Sequence, residues 1–548
     1  MNRKEFAEFL LGKTEHTKDE YEAMYPERNL DSNAMVTRFA PSPTGFVHIG
    51  SLFVSFLDRK YASQTNGVCY LRIEDTDTKR TVDNGVSNII RDLANFDINF
   101  DEGMISDTED KGNYGPYLQS SREDIYKAYA KDLIEKDLAY PCFLSPEEME
   151  DIRSMQEDIK ARIGIYGKYA KYRNLSIDEA VEKINNGEKY IIRLKSPGNF
   201  DNKIIFEDVI RGRMEFNEND LDIVIIKSDG LPTYHFAHAI DDHLMHTTHV
   251  IRGDEWVSSI PLHVQLFDVL GFKAPKYLHI SPLMKKEGET VRKLSKRKDA
   301  EAAVSYYHEE GIPTYAVLLY IMTVANSNFE AWLDANPNGK IEDFELTFNK
   351  MSASGSLFDM DKLLNISKNY ISRLTKEEVY DMAITYTKEY DTELYDLLTK
   401  YKDYSKDVFN IEREQAKPRK DLAKFSEIRN YLWYMYDELY KPENYEFMNV
   451  TDESEISKIL STYMDKYYDV TDKDTWFNNI KLLADEFGYA SNMKEYKTNP
   501  ENFKGNVADI ATVLRVALTS KSQTPDLYEI MRLFGKDRVL NRYKKFIK

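Results

Sequence analysis

The chain has 548 residues with 74 Lys+Arg against 93 Asp+Glu, a net charge of −19. That length predicts several domains, roughly three to four at about 150 residues each, and 42% hydrophobic with 13% aromatic content supplies a core for each of them, which excludes a disordered or fibrous chain. The acidic balance argues against a general polyanion binder, while local basic patches can still grip phosphates.

Residues 1–34 are charged, with apolar Phe6, Phe9 and Leu10 spaced for one or two short helices, and read as an N-terminal extension. No charged-then-apolar leader opens the chain. At Val36 the texture changes to a strand that breaks into the constrained turn Pro41 to Gly45. A helix is expected from Ser51, since Leu52, Phe53, Phe56, Leu57 and Tyr61 share one face. Asn66-Gly67 stops it before the next apolar run, Val68 to Ile73. Strand, loop, helix and strand at this spacing make a βαβ unit, whose ligands sit at the strand C-termini.

A charged, mixed region of about 110–225 reads as an insertion that splits this fold. A second sheet-like block then runs from Leu221 to Ile226, turns at Ser228 to Gly230, resumes near Tyr234 and returns at His249 to Ile251. From Asp299 onward the pattern is mostly helical, with helical spacing over Asp421–Tyr440 and Asn506–Leu518. The longest apolar stretch, Tyr315 to Ala325, is shorter than the ~20 residues of a membrane helix, so no membrane partner and a cytoplasmic location are expected. Cys69 and Cys142 are too far apart for a thiol metal motif, and a reducing compartment suits both.

In the first loop, Pro43-Thr-Gly45 tightens the backbone, His48 precedes the helix, and Gly50 leaves space above it. Free amide donors at a helix N-terminus, an imidazole and a glycine together suit a phosphate and a flat base. The plain alternative is a capping turn with a surface histidine. A second element is the basic run Val291 to Lys298, where Leu294 and Ser295 interrupt the charge. This pattern fits a loop held against the body, with ammonium groups ready for a departing pyrophosphate. A basic contact to RNA is the competing reading.

Arg38 to Gly50 (RFAPSPTGFVHIG) and Lys293 to Arg297 (KLSKR) resemble the two signatures of class I aminoacyl-tRNA synthetases, in the form found in the glutamyl-tRNA synthetases. Arg72 to Asp77, Pro232 to His235, Asp241 to His243, His249 to Trp256, Phe358 to Leu364 and Pro525 to Ile530 follow the same family in the same order. The resemblance implies an α/β Rossmann-type catalytic domain split by an insertion and followed by a mostly α-helical half. Its boundaries would be an extension at 1–34, catalytic halves at 35–110 and 226–300, and an acceptor-binding insertion at 111–225. A connecting domain at 301–375 and a helical anticodon-binding domain at 376–548 would complete the chain.

The resemblance further implies ATP-dependent activation of L-glutamate to glutamyl-adenylate, then transfer to the terminal adenosine of tRNA(Glu), with activation that depends on bound tRNA. Arg38 and Arg252 match the arginines that read the side-chain carboxylate, where a bidentate fork leaves a neutral amide poorly satisfied. Glu74 matches the residue facing the α-ammonium, Ala40 and Ser42 match the pocket lining, and Tyr234 matches a hydroxyl contact. His238 stands in the amino-acid pocket where many relatives have asparagine. His48, Gly50, Glu255 and Trp256 match the ATP side, and Lys293, Leu294, Ser295, Lys296 and Arg297 match the mobile signature loop. That loop continues Lys298-Asp299 where many relatives have His-Gly. Magnesium is expected with ATP rather than in a protein cage.

Five of the ten histidines, His235, His238, His243, His246 and His249, crowd one segment, yet no cysteine is near and no metal site is expected. Zinc-bearing relatives use a cysteine cluster in the insertion where this chain has only Cys142, so no zinc is expected there. Lys417, Arg419 and Lys420, together with Arg532 and Arg538 in the basic tail, are candidate tRNA contacts, with solvated helix ends as the alternative. A monomer is expected. The rivals are a glutaminyl-tRNA synthetase and a catalytically silent tRNA-binding protein on the same fold. Ala40 to Pro43 and Arg72 to Asp77 favour glutamate over glutamine, and intact His48, Gly50, Lys293 and Lys296 argue against a silent binder.

Overall fold

Two short helices open the chain, α1 (Arg3–Leu11) and α2 (Lys18–Met24), each started by a capping box, Asn2 with Glu5 and Thr17 with Glu20. Strand β1 (Val36–Phe39) is buried along its whole length, and α3 (Ile49–Gln64) follows after the Pro-rich loop. Asn66 takes a left-handed φ of 53°, and at Gly67 a Cβ would stand 1.9 Å from the Met35 carbonyl, so only glycine lets the chain turn that close to β1. Strand β2 (Val68–Leu71) then pairs parallel with β1, Val36 opposite Val68, which completes the expected βαβ unit. Helix α4 (Gly85–Ala94) leads to β3 (Glu102–Met104), parallel to β2, and β4 (Asp110–Lys111) closes that edge antiparallel.

The computed structural model describes residues 1–77, 81–295 and 297–548. They form two compact units, Met1–Tyr307 with Leu318–Asp359, and His308–Val317 with Met360–Lys548. In the first unit α5 (Glu123–Glu135) leads into the mixed region. That region holds β5 (Ala139–Cys142), α6 (Pro146–Asp158), α7 (Ile177–Asn185), β6 (Ile191–Leu194), β7 (Lys203–Asp208), β8 (Gly212–Asn217) and β9 (Val224–Ile226). Strands β5, β6 and β9 make one antiparallel sheet, and β7 with β8 makes a hairpin.

The chain returns to the first fold through α8 (Tyr234–Leu244), β10 (His249–Gly253), α9 (Ile260–Leu270) and β11 (Lys276–Ile280). Strands β10 and β11 pair parallel, and β10 lies along β1, with Thr248 N donating to Val36 O at 3.0 Å. The segment at Tyr234 is therefore a helix where the sequence reading expects a strand. Phe236, Ala237, Ala239, Ile240 and Leu244 are all buried, and Phe236, Ile240 and Leu244 recur at helical spacing over a segment short enough to read as part of the neighbouring sheet block. Strands β12 (Leu283–Glu287) and β13 (Thr290–Lys293) form the basic hairpin, with β14 (Ser356–Leu357) alongside β12.

The second unit is helical, as expected. Its core includes Val379, Leu394, Leu460, Trp476, Leu514 and Tyr543. Helix Val507–Thr519 follows a capping box of Asn506 with Asp509. Asp421–Tyr440, by contrast, is a series of short turns, Phe425–Glu427, Ile428–Leu432 and Trp433–Met435. Its apolar residues are buried at helical spacing, yet the helix stops because the carbonyls of Tyr434 and Met435 accept from Arg542 and Arg538 instead of from the next turn. No helix among the described residues is long and apolar enough to cross a membrane.

Candidate active site

A cleft of about 450 Å³ opens where β1, β10 and β11 end, between the loop after β1, the N-terminus of α3 and the basic hairpin. Parallel strands leave their ligand crevice at this end. The loop is fixed by Thr44 N donating to Ser42 O at 2.8 Å and by Glu74 N donating to Pro41 O at 3.0 Å. Gly45 has a φ of 119°, open only to glycine. His48 caps α3, its Nδ1 accepting from Gly50 N at 2.8 Å, which fixes the imidazole proton on Nε2 and presents the ring beside the helix N-terminus. A Cβ at Gly50 would press to 3.1 Å from that same Nδ1, so the glycine keeps the cap and the opening above it.

Behind the loop lies a buried ionic layer. Asp242 on α8 meets Arg72 Nη1 at 2.6 Å and Arg38 Nε at 3.3 Å, and all three side chains are enclosed. Against the cost of burial, the two arginines hold the Asp242 carboxyl well below the usual carboxylate range. Arg72 reaches on to Glu74 Oε1 at 3.2 Å. Glu74 lines the cleft, and burial raises its carboxyl to about 7 although Arg72 and Arg38 pull it down. It can therefore change charge near neutrality.

The opposite wall presents Arg252, 5% exposed, at the end of β10. Its Nη1 donates to His263 Nδ1 at 3.0 Å and its Nε to His279 Nε2 at 2.9 Å. An arginine only donates, so each imidazole must accept. The proton of His263 is then on Nε2, facing His235 Nδ1 at 2.9 Å, and that of His279 is on Nδ1, facing Asp208 Oδ2 at 2.6 Å. Burial, with His238 and Arg252 nearby, pushes His263 well below the usual histidine range, and burial lowers His235 to about 4, so these rings are neutral at pH 7. Arg252 is thus clamped by neutral acceptors. Its Nη2 is buried without a hydrogen-bond partner among the described residues.

Tyr234 and Trp256 close the cleft between these walls, with ring centroids 4.4 Å apart. At the mouth, Lys293 Nζ lies 3.5 Å from Glu255 Oε2. The hairpin's base is tied by Asp299, which accepts from both Arg292 amino groups (2.6 and 2.9 Å), from Ser295 N (2.9 Å) and from Lys285 (3.0 Å). The hydrogen bonds from Arg292 hold its carboxyl below the ordinary range. Asp299, a departure in the sequence pattern, therefore anchors the loop.

Arg38, Ala40, Ser42, Glu74, Tyr234, Arg252, His48, Gly50, Glu255, Trp256, Lys293 and Leu294 all line this cleft, though they come from distant parts of the chain. Lys296 lies outside the described residues. Ser295 is occupied at the hairpin base, and Arg297 is exposed away from the lining. The structure places His238 behind the cleft lining. It is fully buried behind Tyr234, with Nε2 2.9 Å from the Tyr277 hydroxyl and Nδ1 2.9 Å from Asp242 Oδ2, out of line for a hydrogen bond. The crowded histidines have separate partners: His263 for His235, Glu22 for His243, Tyr25 O for His246 and Thr248 for His249.

In the helical unit, Lys417 and Lys420 are exposed. Arg419 is tied to Glu412 and Asp421, and Arg532 pairs with Glu529. Arg538 donates to Asp437, the Tyr404 hydroxyl and Met435 O. Sequence reasoning missed His263, His279, Tyr277 and Asp208 as partners of the site. A histidine acting as a neutral acceptor leaves no spacing pattern that could reveal it.

Residues 34–365 match the family model described as tRNA synthetases class I (E and Q), catalytic domain, and residues 393–547 match an anticodon binding domain. A glutamate-tRNA ligase of Clostridium perfringens is 48% identical over all of both chains, and one of Clostridium beijerinckii is 48% identical at the same full coverage. The crystal structure of a glutamate tRNA ligase from Elizabethkingia meningosepticum in complex with its amino acid superposes with a TM-score of 0.74. It is 28% identical, over 93% of this chain and 99% of that one.

Proposed function

This chain belongs to the class I tRNA synthetases of the glutamate and glutamine branch, and from that premise we propose that it is a glutamate-tRNA ligase, joining L-glutamate to the terminal adenosine of tRNA(Glu) at the expense of ATP. The observation that carries the reading is Arg252: a buried guanidinium in the cleft wall, held by neutral imidazoles, with one amino group left over. Burying a cation that way is costly unless a ligand supplies the anion. The glutamate side chain does so, with Arg38 beside it. A glutamine amide brings no charge and leaves donors facing donors.

Glu74, ionised on binding, takes the α-ammonium, with Ala40, Ser42 and Tyr234 shaping the pocket around it. ATP lies along the first loop, with the His48 Nε2–H and the α3 amides at its phosphates, Gly50 under the base, and Glu255 and Trp256 bordering the ribose side. The substrate α-carboxylate attacks the α-phosphate, so no protein nucleophile or base is needed. Positioning and charge stabilisation do the work, and effective molarities of about 10⁵ to 10⁸ M are available to it. Lys293 and Lys296 meet the charge on the leaving pyrophosphate, and magnesium arrives with ATP as part of the substrate. His238 supports Tyr234 and Asp242 from behind.

Residues 111–225 grip the acceptor end of the tRNA and 376–548 read the anticodon, with Lys417 and Lys420 at phosphates, while 301–375 connect them. The enzyme works as a cytoplasmic monomer and activates glutamate only with tRNA bound. ATP-pyrophosphate exchange with glutamate or glutamine, each with and without tRNA(Glu), tests this. Exchange with glutamate that needs tRNA is expected, and exchange that prefers glutamine overturns it. In the same assay Lys296→Ala slows adenylate formation while sparing tRNA affinity, and an equal loss of both would remove Lys296 from the phosphate site.

A further inference from the structure

Residues 1–33 precede the matched catalytic domain, and no step above uses them. They are nonetheless built into it. Phe6, Ala7 and Leu10 of α1 and Tyr21 of α2 are buried, and both helices pack on α5. Beyond this apolar contact, three polar side chains of the segment reach groups at the back of the amino-acid pocket.

The first is Tyr25, 7% exposed, whose hydroxyl donates to Gly115 O at 2.7 Å and accepts from Arg122 Nη1 at 3.1 Å. Arg122, 1% exposed, gives its Nε to Asp241 Oδ1 at 2.7 Å. Asp241 Oδ2 lies 3.7 Å from Arg72 Nε, an ion pair with no hydrogen bond between them, and Arg72 holds Glu74. A line of buried polar and charged groups thus runs from the Tyr25 hydroxyl to the cleft carboxylate through five side chains.

The second and third hold the far end of α8, the helix that starts with Tyr234 and bears Asp241 and Asp242. Glu22 meets His243 Nε2 at 2.9 Å, and that imidazole stacks 3.6 Å from the Phe272 ring. Arg28 donates two bonds of 2.9 Å to Glu102 and one of 3.0 Å to Met245 O, while its guanidinium lies 3.8 Å over Tyr114. His246 Nε2 is 2.9 Å from Tyr25 O.

We propose that residues 1–33 form a brace for the amino-acid pocket, with Tyr25 a positioning residue that sets Glu74 through Arg122, Asp241 and Arg72. This rests on reading the cleft as the glutamate site. Side chains in low-dielectric networks take their geometry from every partner, so loss of a distant hydroxyl is felt at the end of the line. This line meets the first loop of the ATP side through the Glu74 backbone, whose N donates to Pro41 O at 3.0 Å, while the side-chain line itself ends at the Glu74 carboxylate.

The test is tRNA-dependent pyrophosphate exchange with the full chain carrying Tyr25→Phe, Glu22→Gln or Glu74→Gln. With Tyr25→Phe the KM for glutamate should rise about 3- to 10-fold, while kcat and the KM for ATP stay within about twofold. Glu22→Gln should shift the glutamate KM in the same direction. Unchanged glutamate KM values in both, or a loss of kcat with KM unmoved as a merely structural role gives, overturn the brace. Glu74→Gln separates the two readings: if it leaves the glutamate KM unchanged the pocket assignment itself fails, whereas an altered KM there with none in Tyr25→Phe removes only the brace. Should Tyr25→Phe fold poorly, Glu22→Gln at its half-buried pair carries the test.

Discussion

Arg252 owes its usefulness to what it lacks. Three of its neighbours are imidazoles or rings, with His263 and His279 accepting and Tyr277 under the guanidinium at 4.5 Å. Removing the guanidinium strands those acceptors and, on the reading proposed above, takes away the substrate's counter-charge. Arg252→Ala should cut kcat/KM for glutamate by about 30- to 4,000-fold, the range for truncating one partner of a buried charge pair, as read by exchange at subsaturating glutamate. Undiminished activation would remove the assignment. Glu74 makes a second prediction. Between about 4.5 and 7 the folded protein keeps a proton on Glu74 that the unfolded chain has released, so stability falls as pH rises through that window, and is level above it. Glu74→Gln should therefore be more stable than the parent at pH 8 by up to about 3 kcal/mol, seen in urea melts, although it binds glutamate more weakly. Arg38, Arg252 and Glu74 were legible because each falls within a motif. Their settings were not, since Asp208, His263 and His279 come from separate elements and only the fold brings them to one point.

At the scale of elements, the βαβ unit was readable and α8 was not. Helix α3 runs for 16 residues with Leu52, Phe56 and Leu57 recurring at helical spacing, whereas α8 spans 11 residues whose apolar positions, Phe236, Ile240 and Leu244, are interleaved with histidines and aspartates. The broken segment Asp421–Tyr440 is the converse case, read as one helix where arginines from the last helix compete for the carbonyls. The basic hairpin shows what a departure from the family pattern can do. Asp299 replaces a flexible residue with a carboxylate that gathers Arg292, Lys285 and the Ser295 amide. Asp299→Ala should loosen the segment that presents Lys293, raising the KM for ATP about 3- to 10-fold while leaving the KM for glutamate unchanged. Initial rates over an ATP series at saturating glutamate decide it, and a matched rise in both constants would contradict the loop assignment.

Over the whole molecule the net charge of −19 opposes a polyanionic partner, yet such repulsion is screened beyond about 10 Å at ordinary salt. Affinity for tRNA must then come from cations that are both local and uncommitted. In the helical unit that distinction separates residues the sequence placed in one class. Lys417 and Lys420 are exposed on their own turn, while Arg538 spends its donors on Asp437, Tyr404 and Met435 O. Lys417→Gln with Lys420→Gln should weaken tRNA(Glu) binding and make the slope of log K against log salt shallower by about 1 to 2, since each phosphate that is no longer neutralised keeps its counterion. Thermal melting should stay in place. Arg538→Ala should do the opposite, lowering the melting temperature because the Tyr404 hydroxyl loses its donor while Asp437 and Met435 O each lose one of two, with a salt slope like the parent's. Filter binding across a salt series, read beside a melt of each variant, distinguishes them: a shallower slope in Arg538→Ala with normal melting would show that its ion pair opens to meet RNA, and an unaltered slope in the double lysine variant would move the anticodon contact to another face of the unit.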